Sequence, residues 1–324
     1  MRLILDELDE ITIERAAELV AREQAVTRRT CPQLPASHVS PEVCTVALQG
    51  LVDAGGRGVV ATDRGRPLAV LTASVHDGRV LGRYAYLPAE GFAVDPELDD
   101  PTTVLATMYA QLASPIVTAG VWRHYLLHIA QRCLHDALAN LGFARHGVYG
   151  VQAVTSRRTD SHVDVRIAEL ADLDVVARLA LIEMQDRARP PMFGPMNNPP
   201  LADLVAKHRA LHTGGAVHLL ATLDRRDVGL LTVEPGSRVP RLCPPDQPYI
   251  GPTVTVPDAR GRGVGRALVD AALDWAHQQG YQWISVDFEA ANPLSRPFWL
   301  GAGFRPTGYS LLRLIDPKHA AIAE

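Results

Sequence analysis

Seven consecutive residues, Arg260-Gly-Arg-Gly-Val-Gly-Arg266, hold three arginines and three glycines. Glycines let a backbone turn tightly and aim several N–H groups at one point, and a helix starting there adds the positive end of its dipole. Such a segment binds an anion. A nucleoside triphosphate loop needs a Lys and then a Ser or Thr after its last glycine, but Gly265 is followed by Arg266 and Ala267. A dinucleotide loop needs Gly-x-Gly-x-x-Gly. Here Gly261, Gly263 and Gly265 are each two apart, although Asp287 at the end of the next strand-like run keeps that reading open.

The remaining pattern, Arg260-x-x-Gly263-x-Gly265, is followed by Asn292-Pro-Leu-Ser295-Arg-Pro-Phe298-Trp299-Leu-Gly-Ala-Gly303-Phe304. The first resembles the acyl-CoA pyrophosphate loop of the GNAT superfamily of N-acyltransferases, and the second resembles that family's Asn-x-x-Ala-x-x-Phe-Tyr-x-x-x-Gly-Phe motif. The likeness is detailed over residues 217–315 and looser over 163–216. It implies an α/β fold (α+β mixed sheet) whose strands at 249–256 and 281–289 splay apart at their C-terminal ends. It also implies acetyl-CoA as co-substrate and no metal. Main-chain groups of Val254, Thr255 and Val256 would bond the pantetheine arm and acetyl carbonyl, where a donor also stabilises an oxyanion. Arg260, Gly261, Arg262, Gly263, Val264, Gly265 and Arg266 would hold the pyrophosphate. Asn292 would bond the pantetheine, with Ser295 and Phe298 at the thiol end and Trp299 beside them.

Trp299 departs from the family pattern. The tyrosine usual there protonates the leaving thiolate, whereas an indole donates a hydrogen bond but is no acid near neutral pH. A water, Tyr249 or Tyr309 is expected in that role. Ser285, Asp287 and Glu289 alternate on one face of their strand, so Asp287 and Glu289 are expected as the base or ammonium-binding pair, or else as a solvated strand end. Glu234, at the end of a hairpin strand, stands in reserve. The Met- and Phe-bearing loop 189–200 is expected either to form an acceptor wall or to pack internally. The twelve histidines show no metal spacing; His218 alone is placed to face the cleft.

Apolar periodicity positions these groups. Helices are expected over 170–184, 203–212, 263–279 and 293–301. Strands are expected over 217–223, 228–234, 249–256 and 281–289, with a final strand or strand pair over 304–315. The helix from Gly263 would bury Val264, Ala267, Leu268, Ala271 and Trp275. Much of this is written twice. Gly58-Val-Val-Ala-Thr62 echoes Val217-His-Leu-Leu-Ala-Thr222, 160 positions on, and Leu141-Gly-Phe143 echoes Ala302-Gly-Phe304, 161 positions on. Two tandem GNAT-like domains are expected, 1–155 and 163–324, each a splayed mixed sheet flanked by helices, divided in the polar stretch 155–161.

An offset of 161 sets Asp99-Asp-Pro-Thr-Thr-Val104 against Arg260–Gly265, Gln131 against Asn292 and Leu138 against Trp299. Two acids repel a pyrophosphate, so the first copy is expected to lack a cofactor loop. Its Tyr84, Tyr86, Phe92, Trp122 and Tyr125 could wall an acceptor or pack a core.

Lys and Arg number 32 against 36 Asp and Glu, a charge of -4 that provides no bulk field for nucleic acid or an anionic membrane. Four scattered cysteines and an acidic start without an apolar leader point to a cytoplasmic protein. The expected reaction is direct transfer of acetyl from acetyl-CoA to a primary amine of an unidentified small molecule or peptide. The protein is expected as a monomer with an intramolecular pseudo-dimer or as a homodimer. The alternatives are a reaction similar to that of mycothiol synthase, also tandem and of similar length, and a CoA-binding sensor or scaffold without turnover.

Overall fold

The same string of elements occurs twice. The first runs β1 (Leu3–Glu7), α1 (Ile13–Arg28), α2 (Pro41–Asp53), β2 (Arg57–Asp63), β3 (Arg66–Gly78), β4 (Gly82–Leu87), β5 (Phe92–Val94), α3 (Thr102–Thr118), β6 (Arg123–Ile129), α4 (Arg132–Asn140) and β7 (Ala144–Ala153). The second runs β8 (Asp164–Ile167), α5 (Leu173–Ala188), α6 (Leu201–Thr213), β9 (Val217–Leu223), β10 (Arg226–Glu234), β11 (Tyr249–Thr255), α7 (Val264–Gln278), β12 (Trp283–Glu289), α8 (Ser295–Ala302) and β13 (Arg305–Leu314). The computed structural model describes residues 2–78, 82–156, 162–194, 198–237 and 239–318, so residues 157–161 of the expected boundary and 195–197 of the expected acceptor loop lie outside it. Where the second copy has one strand, β11, the first has β4 and β5, separated by a 3-10 turn over Ala89–Gly91.

Two compact units emerge. One comprises Met1–Tyr149, Val239–Leu242 and Pro306–Glu324; the other comprises Gly150–Arg238 and Cys243–Arg305. They differ from the contiguous 1–155 and 163–324 expected from the repeat, for a physical reason. β13 lies antiparallel to β6 from Gly308 opposite Ile129 to Leu314 opposite Arg123, so its main-chain bonds tie it to the first unit.

In the first unit the strand order is β1-β2-β3-β4-β6-β13-β7. Alternation along β2 and β3 divides its core. Val60 and Val70 pack with Ala16, Leu19 and Val20 of α1. Val59, Ala61, Ala69 and Leu71 join Val104, Leu105 and Met108 of α3.

In the second unit the order is β12-β11-β10-β9-β8, with residues 150–153 of β7 beyond β12. A tight turn at Asp224 and Arg225, both with left-handed φ, joins β9 to β10. α7 packs on this hairpin: a Cβ at Gly229 would come within 2.7 Å of Val264, so only glycine admits the helix so closely. The buried face of α7 is rotated from the expected one. Val264, Ala267 and Leu268 are buried with Val269, Ala272, Leu273 and Ala276, while Trp275 is half-buried against Tyr281. The expected final strand is a single strand, and helix 170–184 continues as α5 to Ala188.

Candidate acyl-transfer site

The site is built where β11 and β12 separate. They run parallel for two rungs, Tyr249 opposite Ser285 and Ile250 opposite Val286. Beyond Ile250, β11 stays with β10, Thr253 opposite Leu231 and Thr255 opposite Gly229, with a bulge at Gly251-Pro252. A V-shaped gap opens between Gly251–Thr255 and Asp287–Glu289. Proline suits the bulge because it has no N–H to donate to a ladder.

Of the three main-chain positions expected to line this gap, one does. Val256 N–H donates to Val228 O at 2.9 Å, toward β10, and alternation turns Val254 the same way. Thr255 therefore faces the gap, and its carbonyl accepts from Arg260 Nε at 3.1 Å. Tyr249, the expected acid, belongs to the closed rung below the gap rather than to an open arm.

At the open end, Gly261 (φ 74) and Gly263 (φ 83) adopt left-handed conformations that cost most residues about 1–2 kcal/mol. Gly263 caps α7, and among the described residues no side chain caps the first-turn amides of this helix. Those N–H groups and the helix dipole are chemically suited to an anion. A Cβ at Gly261 would meet nothing within 4 Å, whereas one at Gly265 would come within 3.1 Å of Phe298. α8 is thereby held against the first turn of α7.

The three arginines are not a bare positive cluster. Arg260 pairs with Asp186, Arg262 with Asp224 at 2.9 Å, and Arg266 with Asp270 at 2.9 Å. Their charge is locally balanced, and the oriented amides carry the anion-binding character.

On the opposite arm, Asn292 Oδ1 accepts from the backbone N–H groups of Leu294 and Ser295, both at 3.0 Å. This caps the start of α8 and leaves the amide nitrogen of Asn292 to serve a ligand. Trp299 is buried, its ring 5.0 Å from Phe298 and 5.2 Å from Phe304, edge to face. It is a packing residue.

The last turns of α5 bridge the two arms. Asp186 holds Arg260 after β11, and Arg187 holds Glu289 at the end of β12, with Nε 2.9 Å from Oε1. Glu183, one turn earlier, lies 3.7 Å from the same Arg187 nitrogen. Burial pushes the Glu183 carboxyl up to about 6; Arg187 and Lys207 oppose this, while Glu289 and Asp287 reinforce it. The second oxygen of Glu289 is buried without a hydrogen-bond partner among the described residues. The sequence reading did not single out Glu183, and Arg187 lay beyond the helix end expected at 184. Glu183, Asp186 and Arg187 at i, i+3 and i+4 were the available signal, one polar face ending an apolar helix.

Ser285 shares the face of Asp287 and Glu289 but is buried on Pro248 O at 3.3 Å, whereas Asp287 is exposed. His218 does not face a cleft. It is buried, with Nδ1 2.9 Å from Thr232 Oγ1 and Nε2 3.3 Å from His208 O. Phe193 of the 189–200 loop is exposed. Among the described residues, no group of three or more His, Cys, Asp or Glu is arranged to hold a metal, and no helix is long and apolar enough to cross a membrane.

The equivalent point in the first unit is closed. β4 and β6 pair from Ala85 opposite His124 to Leu87 opposite Leu126, after which β5 continues on β3. There the fully buried Arg241 donates to Ala89 O (2.5 Å), to Phe92 O, and to Gln24 Oε1 (3.3 Å), and pairs with Glu23 Oε2 at 2.5 Å. Tyr309, the other expected acid, also belongs to this unit, its ring 4.9 Å from His135 and 4.3 Å from the Arg145 guanidinium carbon. Phe92 is core, while Tyr84, Tyr86 and Tyr125 form a half-buried array with His76.

Residues 181–304 match the model of the acetyltransferase (GNAT) family. No curated protein matches the sequence. Among solved structures, a tandem GNAT protein from the clavulanic acid biosynthesis pathway aligns with TM-score 0.53 and 13% identity over 97% of this chain and 98% of that one. A GCN5-related N-acetyltransferase from Sphaerobacter thermophilus aligns with TM-score 0.58 and 15% identity over 97% and 96%. A GCN5-related glucosamine N-acetyltransferase region of a fungal multi-domain GH3 β-N-acetylglucosaminidase aligns with TM-score 0.54 and 11% identity over 96% of this chain and 38% of that one. The chain has the tandem GNAT fold. At these identities the likeness shows the fold, and the family match covers residues 181–304 alone.

Proposed function

We propose that the second unit transfers an acetyl group from acetyl-CoA to a primary amine by direct attack. The observation that carries this reading is the V-shaped gap, which pairs for two rungs and then opens onto a left-handed glycine loop and an uncapped helix N-terminus. Those groups fit acetyl-CoA: amides of the first turn of α7 for the pyrophosphate, Thr255 and the Asn292 amide nitrogen along the arm.

A primary amine is protonated at neutral pH and must lose a proton to attack. Glu183, raised to about 6, is the carboxylate best matched to that task, since a base poised near the working pH combines the right protonation state with driving force. Arg187, itself anchored by Glu289, holds it in place. The ammonium gives one proton to Glu183, the freed amine nitrogen bonds to the acetyl carbon, the carbon–sulfur bond breaks, and the second proton shed by that nitrogen passes through solvent to the leaving thiolate.

The buried Trp299, in the place of the family's tyrosine, favours a second reading in which CoA is bound without turnover. Thiol release from acetyl-CoA over a panel of amines separates the two. Release with at least one amine, accompanied by the N-acetyl product, is expected; tight CoA binding without release from any amine would establish the non-catalytic reading.

A further inference from the structure

Arg260 stands where the open arm of β11 meets the glycine loop, and its one guanidinium serves two partners. Nε donates to the Thr255 carbonyl at 3.1 Å, and Nη2 pairs with Asp186 at the end of α5. The first bond occupies the main-chain acceptor that β11 turns toward the gap. The second pins the same side chain to α5. Arg260 is 35% exposed and Asp186 22%, so the bridge is partly shielded from solvent screening. A planar fork can hold two acceptors in fixed directions at once, which the point charge of a lysine cannot. Gly261, Gly263 and the first-turn amides of α7 follow immediately, where the donor's diphosphate would lie. Three acceptors therefore compete for one guanidinium: Thr255, Asp186 and the diphosphate. Asp186 keeps a second partner, Arg189 at 3.2 Å, so release of Arg260 does not strand its charge.

Resting on the acetyl-transfer reading, we infer that Arg260 is a specificity residue, a latch that makes the acyl arm answer to the diphosphate at the far end of the donor. Held on Thr255 and Asp186, it shuts the Thr255 carbonyl to the N–H groups of a pantetheine chain. Drawn to the diphosphate, it leaves that carbonyl free. Binding energy from the remote, non-reacting end of the donor thereby goes into opening the arm. A thioester of pantetheine without the nucleotide has nothing to draw Arg260 away and meets an acceptor already taken. The donor class selected is a thioester that carries a diphosphate, and a free pantetheine thioester is rejected.

CoA and pantetheine, which share the arm and differ in the nucleotide, test this. Calorimetry reads CoA binding to the full chain, and a ligand-observed NMR titration reads pantetheine. Arg260→Met is expected to move the two in opposite directions. CoA should bind about 10-fold more weakly, for want of a charge-assisted contact, and pantetheine about 3–5-fold more tightly, because Thr255 is released. Opposite signs in one variant cannot come from misfolding. Asp186→Asn should tighten both ligands about 3-fold, and in the Arg260→Met background it should tighten neither. Arg260→Lys should keep most of the CoA affinity and still admit pantetheine. Weakening of both ligands by Arg260→Met would overturn the latch, as would an Asp186→Asn effect that persists without Arg260. The outcomes also separate from the underlying reading. The expected pair of opposite shifts without thiol release from any amine leaves the latch standing and removes acetyl transfer; thiol release with both ligands weakened by Arg260→Met does the reverse.

Discussion

The two copies meet the same geometric problem with opposite solutions. In each, a strand leaves its parallel neighbour and exposes main-chain groups at the point of divergence. The second unit leaves this place open, flanked by left-handed glycines and helix amides. In the first unit the carbonyls of Ala89 and Phe92 are satisfied by Arg241, whose charge is balanced by the buried Glu23. The cap of the following helix differs in the same sense. The helix starts align Pro101 with Gly263, one residue from the correspondence that the 161-residue offset suggests. A proline cannot offer an N–H, and Asp100 already accepts from Thr102 N at 2.9 Å. A splayed sheet is thus a scaffold whose point of divergence is left open or is sealed by its own chain, according to a handful of side chains.

The largest effect is expected from Arg241→Met. It leaves Glu23 as an unpaired buried charge, at a cost of about 3–5 kcal/mol in denaturant unfolding. The double variant Arg241→Met with Glu23→Met should recover much of that loss. If the single variant were as stable as the parent protein, Arg241 would not be what seals the first copy.

Glu183→Gln is expected to lower the rate of acetyl transfer roughly 10²–10⁴-fold and to remove an acid limb near pH 6. Its stability should move in the other direction. A carboxyl raised to about 6 holds its proton more tightly in the folded state, so its contribution is present below the ordinary value of 4.5 and lost as pH rises through 6. The variant should therefore melt higher than the parent protein above pH 6 and not below 4.5.

Gly263→Val places a side chain where φ is 83, and CoA affinity is expected to fall by about 30-fold or more, measured by calorimetry. The reciprocal Pro101→Gly should create no CoA binding, because Asp99 and Asp100 remain. The smallest effect is shared by both copies. Burial holds His124 and His208 at about 4 and His128 at about 3. The folded state then binds fewer protons than the unfolded chain, so melting temperature should fall as pH drops from 6.5 toward 4. A variant with His208→Gln should lose part of that slope.

Local patterns in the sequence were sufficient for the duplication, the order of strands and helices, the glycine loop and the Asn292–Phe304 motif. Each rests on a short-range rule: period-2 or period-3.6 burial, a left-handed glycine, a capping side chain. Strand β9, expected over 217–223, has those limits. The site chemistry was less legible. The i, i+4 pairing of Arg266 with Asp270 is a local signal, but nothing local in Arg260 or Arg262 says that Asp186 and Asp224, on other elements, will neutralise them.

What could be read from residues alone was therefore the glycine loop and its place in the chain, because a tight turn and a helix start are encoded within about ten residues. Only the folded chain decided the rest. It brought Glu183 and Arg187 of α5 to Glu289, across more than a hundred residues of sequence, and burial there raised Glu183 to about 6. It buried Trp299 in packing and seated Arg241 in the first unit. Desolvation and charge pairing depend on what surrounds a group in space, and that is settled by packing rather than by sequence neighbours.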